Sequence, residues 1–286
     1  MSVRALAAAL AAAGLLWSAG AWAATGGEDI LARGERLFQI GGCTNCHTAK
    51  GGPLLAGGDA IKSPYGDFFA PNITPDPDYG IGGWSEEDFI RAMQEGRAPD
   101  GSAYYPAFPY TSYTRMDEDD LRALKTWLDT VPPVAQPSRG HGLGFPFNQR
   151  WAMRLWQWAF FEPGRFVPDP QKDELWNRGA YLSLGPGHCA ECHTPRNFAG
   201  ALMWDEAFAG AVLPGDEKVP NISGDPERGL GNWSAGDVRT VLQLGMTPEG
   251  DFVGSEMAKI VSNGTGKLPP EDVQAIAAYI KSLPPR

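Results

Sequence analysis

The sequence is poor in the residues that bind metals and form crosslinks. Its 286 residues include only four cysteines and four histidines. Beyond residue 23 no run is apolar enough to cross a bilayer, which excludes a spanning helix there. Positive charge is also scarce: 24 Lys and Arg against 34 Asp and Glu leave a net charge of −10. That sign argues against nucleic acid and anionic lipid as partners, and favours a protein with a basic patch. Glycine and proline are plentiful, at 36 and 25 residues, which predicts short helices joined by long ordered loops. Such loops need something besides helix packing to hold them.

The N-terminus reads as an export signal. Arg4 precedes an alanine-rich apolar run from Ala5 to Leu16, and Ala21-Trp22-Ala23 forms an A-x-A cleavage site. Residues 1–23 are therefore expected to be a cleaved secretory signal peptide, with the mature protein periplasmic. The remaining length suits two domains.

The chain also repeats itself. "ARGERLFQIGGCTNCHT" at 32–48 matches "NRGAYLSLGPGHCAECHT" at 177–194. "APNIT" at 70–74 matches "VPNIS" at 219–223, and "GGWSEEDF" at 82–89 matches "GNWSAGDV" at 231–238. Each copy closes with an apolar helical face, Leu121, Leu124 and Leu128 in one and Val273, Ile276 and Ile280 in the other. A double proline stops each helix, at Pro132-Pro133 and Pro284-Pro285. Ser85 with Asp88, and Ser234 with Asp237, predict capping boxes, and Trp84 and Trp233 then fall where a hydrophobic staple begins. An indole N–H there could also serve a buried acceptor. Two tandem domains are expected, 24–134 and 169–286, joined by a Trp-rich linker at 135–168.

All four cysteines lie in two C-x-x-C-H motifs, Cys43-Thr-Asn-Cys46-His47 and Cys189-Ala-Glu-Cys192-His193. Zinc would be one ligand short in each copy. A thioredoxin-like couple needs a strand before the motif, and none is suggested. A disulfide from Cys43 to Cys46 would close a very tight loop and leave His47 unexplained. Covalent haem attachment uses every residue: two sulfurs one helical turn apart add across the vinyl groups, and the next histidine ligates iron. Cys43, Cys46, Cys189 and Cys192 are thus the expected attachment points of two covalently bound haem c groups, with His47 and His193 as iron ligands. A buried macrocycle would also organise the loops.

At these motifs the chain resembles the class I c-type cytochromes, in particular periplasmic diheme cytochromes that serve as electron-transfer subunits beside dehydrogenases. "YYPAFPYTSYTRM" at 104–116, "GLGFPFNQR" at 142–150, "RGAYLSLGPGHCAECHTPRN" at 178–197 and "GSEMAKIV" at 254–261 carry the likeness over essentially the whole mature chain. The resemblance implies an all-α fold with long ordered loops around the haems. It implies electron carriage from a dehydrogenase subunit to a downstream cytochrome or terminal oxidase of a respiratory chain, with peripheral membrane association open. Triheme relatives carry a third C-x-x-C-H domain that is missing here, which weakens a quinol-oxidising role.

A low-spin carrier needs a sixth iron ligand, and methionine raises the potential. In the second domain Met257 falls in an expected loop ahead of the last helix, where the family places this ligand; Met246 is its rival. In the first domain the repeat puts Phe108 opposite Met257, and phenylalanine cannot bind iron. The resemblance favours Met116 instead, although Met116 and Leu121 could equally form a staple around an Asp117 N-cap. An open iron and His141 remain alternatives, and Met93 reads as core. His188 is expected at the rim of the haem attached next to it. In the linker, Trp151, Leu155 and Trp158 share one helical face, suited to a clasp between domains or to a docking surface for a dehydrogenase or membrane. An open first haem would also suit a peroxidase-like or thiosulfate-oxidising enzyme, or a gas sensor, although no output domain is visible. The electron carrier, without catalysis of its own, is the leading expectation.

Overall fold

The computed structural model describes residues 29–286, so the expected signal peptide lies outside the described residues. The first copy runs α1 (Ile30–Ile40), α2 (Cys43–His47), the hairpin β1 (Ala60–Ser63) and β2 (Gly66–Phe69), α3 (Glu86–Glu95), α4 (Tyr110–Tyr113) and α5 (Glu118–Leu128). A short strand β3 (Gly142–Leu143) and helix α6 (Ala152–Phe160) follow. The second copy runs α7 (Glu174–Leu184), α8 (Ala190–His193), β4 (Ala211–Leu213), β5 (Glu217–Val219), α9 (Ala235–Leu244), α10 (Ser255–Asn263) and α11 (Pro270–Lys281). Helices dominate. The antiparallel hairpins are small additions, and β3 pairs with β2, opposite Gly66 and Asp67.

Local chemistry sets the helix ends. Both capping boxes form, with the Ser85 and Ser234 hydroxyls accepting from the Asp88 and Asp237 amides and each aspartate accepting in return. Trp84 packs with Phe89 in the first core, and Trp233 with Val238 in the second. Met116 and Leu121 are both buried in the first core, on either side of Asp117, the N-cap of α5.

Each domain is closed by its first and last long helices, α1 on α5 and α7 on α11. The crossings are close enough to demand glycine. A Cβ on Gly34 would lie 2.2 Å from the Ala123 carbonyl oxygen, and one on Gly179 would lie 1.9 Å from that of Ala275. Beside each crossing an arginine meets a buried aspartate: Arg33 Nε donates to Asp120 at 2.5 Å, and Arg178 donates to both oxygens of Asp272 at 2.8 and 3.0 Å.

The same two aspartates join the domains. Tyr181 of α7 donates its hydroxyl to Asp120, and Arg36 of α1 lies 3.5 Å from Asp272. Each carboxylate therefore holds one partner from its own domain and one from the other. Ile40, at the end of α1, belongs to the core of the second domain. The halves share an interior.

Because backbone carbonyls block the space, neither glycine tolerates a side chain. Gly179→Ala is expected to lower stability by about 1–3 kcal/mol through overpacking. Thermal unfolding of the haem-loaded protein, followed by circular dichroism, measures it. An unchanged melting temperature would mean that the helices separate freely.

Candidate haem sites

The two C-x-x-C-H segments fold as short helices, α2 and α8, each directly behind a long helix that ends in a glycine-containing turn. This turns the thiols and the histidine toward the domain interior. Among the described residues no disulfide forms, and no cluster of three or more Cys, His, Asp or Glu side chains is placed to hold a metal ion.

Both motifs open into one continuous cavity of about 2540 Å³, lined by both domains and mostly apolar. All four cysteines and both motif histidines stand on its wall, as do Trp84, Trp233, Phe108, Tyr113 and Met257. Burial pushes the Cys43 and Cys189 thiols up to about 12 and Cys192 to about 11, and raises Cys46 as well. Burial likewise pulls both motif imidazoles below the usual histidine range, keeping them neutral near pH 7.

The histidines are oriented alike. His47 Nδ1 donates to the Pro71 carbonyl at 2.7 Å, and His193 Nδ1 donates to the Pro220 carbonyl at 2.9 Å. With the proton on Nδ1, the lone pair of each ring sits on Nε2, the atom left free to bind a metal. The prolines belong to the repeated "PNI" segments, so both the motif histidine and the carbonyl that orients it are duplicated. A large, mostly apolar cavity, paired thiols and a tautomer-locked imidazole at each motif fit covalently attached haem. One polar atom, the Thr247 hydroxyl, is buried on the cavity wall without a protein partner, which suits a group with a polar edge.

The other candidates separate. Met257 reaches the wall from α10, so the loop expected around it is a helix. "SEMAKIVSN" has helical patterning, with Val261 buried and Lys259 paired to Glu256 at 2.6 Å. Met246 sits in an isolated bridge with Phe252, away from the cavity. In the first domain Phe108 and Met93 line the cavity, whereas Met116 does not. Met116 is buried with a methylene close to the Gly185 backbone, and its carbonyl accepts from Gln94 Nε2 at 2.8 Å. Met116 lies in the first core with Leu121, beside Asp117, and is not among the residues that line the cavity. His141 lines the cavity, but its Nδ1 accepts the Phe69 amide at 3.2 Å while its ring stands edge-on to Phe68 and Tyr105. His188 crosses to the first domain, with Nε2 3.1 Å from the Gly41 carbonyl oxygen and the ring against Tyr113.

Sequence reasoning passes over Glu191, the variable residue inside the second motif. It is buried, and its carboxylate accepts from Thr111 Oγ1 at 2.7 Å, Ser112 Oγ at 2.8 Å and Arg196 Nη2 at 2.5 Å. Both hydroxyls come from the first domain. The only hint in the sequence is an acid between two cysteines that need none.

The family model for cytochrome c matches residues 31–132 and 178–284, one match around each motif. A diheme cytochrome c-type protein of Cereibacter sphaeroides is 44% identical over 258 residues, covering 88% of this chain and 85% of that protein. A nicotinate dehydrogenase subunit of Pseudomonas putida is 40% identical over 92% of this chain, which spans 22% of that protein. The cytochrome c subunit of a quinone-dependent alcohol dehydrogenase from Gluconacetobacter polyoxogenes is 40% identical over 90% of this chain, which spans 56% of that protein. The chain belongs to the cytochrome c family, as two class I domains in tandem. It carries two covalently bound haem c groups and works in electron transfer rather than catalysis.

Burial alone would raise the pKa of Glu191, but Arg196 and the two hydroxyls outweigh it and hold the carboxyl below the usual range. A depressed folded-state pKa contributes stability above the unfolded value and loses it as pH falls through the folded one. Glu191→Gln should therefore cost about 1–3 kcal/mol at neutral pH and flatten the acid limb of stability. Denaturant unfolding of the haem-loaded protein from pH 7 down to pH 3 reads both effects. An acid limb as steep as the parent's would remove Glu191 from the account.

Proposed function

We propose that this cytochrome takes electrons from a dehydrogenase in the periplasm and passes them to a downstream cytochrome or terminal oxidase. One observation carries the proposal: both haem-attachment motifs face a single cavity across a shared interior. Asn45, inside the first motif, accepts from Asn263 Nδ2 at 2.8 Å, at the end of the helix that carries Met257. With the His188 contact to Gly41, this holds the two attachment segments against each other. When bound, haem supplies a one-electron iron couple whose potential depends on the axial ligands and the burial of the site. The dehydrogenase subunits among the relatives support the donor class, and the N-terminal export pattern supports the compartment.

In this proposal Cys43 and Cys46 attach the first haem and Cys189 and Cys192 the second. His47 and His193 present Nε2 to iron, and Met257 is the thioether of the second site. Phe108 faces the first site, leaving its iron without the equivalent thioether.

The test is spectroscopic. Intact mass spectrometry is expected to show two haems per chain. Met257→Ala should abolish one methionine-to-ferric-iron charge-transfer band and lower one potential, because thioether ligation favours ferrous iron. The reduced parent should bind carbon monoxide at one haem, Met116→Leu should not change that, and Met257→Ala should bind it at two. A parent that binds none, with one site opened by Met116→Leu, would make Met116 the first haem's ligand after all.

A further inference from the structure

Helix α6 is amphipathic in the reverse of the usual sense. Its inward side is polar: Gln157 is buried and donates to the Glu95 and Gly96 carbonyls at 3.1 and 3.3 Å. Arg150, just ahead of the helix, donates to the Ala103 carbonyl at 2.9 Å, and the Trp156 indole donates to the Ala199 carbonyl at 2.8 Å. These bonds pin the helix to both domains, as a clasp would. The outward side is apolar: Trp151 is 67% exposed and Trp158 88%. A surface helix normally turns that stripe to the core.

Two neighbouring segments extend the face. Phe198 is 92% exposed in the turn that holds Trp156, and Phe145 is 82% exposed in the segment leading into α6. Tyr65 ties the two together, its hydroxyl donating to the Phe198 carbonyl at 3.0 Å and its ring lying 4.7 Å from Phe147. The charge pattern changes here too. From Arg139 to Phe161 there are three arginines and no Asp, Glu or Lys, in a chain whose acids outnumber its bases.

We propose that this face docks the protein on a lipid bilayer, with the aromatic rings entering the interfacial layer. Trp151 and Trp158 on α6 and Phe145 ahead of it stand largely free of the protein and line no groove for a partner to fill. A bilayer interface takes such rings without matching their shape, and tryptophan with arginine is the composition that favours it. The acids elsewhere lower the affinity little, since charges beyond about 10 Å are screened at physiological salt. No described helix is long and apolar enough to cross a membrane. Leu155, Trp156 and Phe198 also rim the haem cavity, so docking turns that rim toward the lipid. The inference does not depend on which dehydrogenase is the donor.

The test uses haem-loaded protein with vesicles of phosphatidylethanolamine and phosphatidylglycerol, and with vesicles of phosphatidylcholine. The parent should sediment with both and more tightly with the anionic set. The double variant Trp151→Gln/Trp158→Gln should bind both at least about tenfold more weakly, given the area each ring buries. Its visible spectrum and melting temperature should match the parent's. Arg154→Gln should weaken only the anionic binding. Absence of parental binding to either vesicle, or equal binding by the double variant, overturns the proposal. Gel filtration showing a parental self-association that the double variant loses, with no vesicle binding, would assign the face to a protein interface instead.

Discussion

An open cavity of about 2540 Å³, lined largely by apolar side chains, constrains everything around it. Apolar wall withdrawn from water gains about 25 cal/mol per Å², so covering about 200 Å² of it is worth about 5 kcal/mol. That is comparable to the whole stability of a typical domain, about 5–15 kcal/mol. The haems are therefore part of the core as well as the redox centres, and attaching them covalently makes that part of the core permanent. The long loops follow from the same constraint. The segments around Pro71 and Pro220 carry little regular structure and draw their order from the groups they cover, including the histidine each proline carbonyl holds.

The shared interior decides how the domains behave. Asp120 and Asp272 each bind one partner across the boundary, and Glu191 places a third buried carboxylate between the second motif and α4. Such groups are costly to bury and hold their positions only while fully partnered. Independent swinging of the domains would take Tyr181 from Asp120, Arg36 from Asp272 and both hydroxyls from Glu191, leaving each carboxylate only its own domain's arginine. Rigid apposition keeps the distance between the two attachment segments fixed, and electron exchange between redox centres depends steeply on distance.

Much of this is legible in the sequence because it is local or duplicated. The C-x-x-C-H motifs, the Ser85 and Ser234 capping boxes, the Trp84 and Trp233 staples and the closing helices all rest on spacings of a few residues. The hairpins escape a sequence reading because each strand is only three or four residues long, too short for alternation to register. α10 reads as a loop because its nine residues follow a glycine-rich stretch and have no side-chain cap. The contacts of Tyr181, Glu191 and His188 are invisible for another reason. Each partner lies far away in the chain, and nothing in a single sequence marks such pairs.

Where the repeat breaks, the two sites diverge. Met257 and Phe108 occupy corresponding positions in the repeat and both stand on the cavity wall, one with a sulfur lone pair and one with a ring that cannot ligate. Three aromatic rings, those of Tyr104, Tyr110 and Tyr113, pack around Phe108. That packing keeps the first site apolar and gives α4 the fixed position from which Thr111 and Ser112 reach Glu191. A methionine at residue 108 would add a ligand but lose the ring contacts that hold this segment, so the site cannot be made equivalent to the second by one substitution without cost. On the proposed ligation, with the Met257 thioether on the second iron and none on the first, the first haem has the lower potential, because thioether ligation raises it. Electrons entering at the first domain would then run downhill to the second, and the asymmetry of one residue pair would set the direction of transfer through an otherwise duplicated protein.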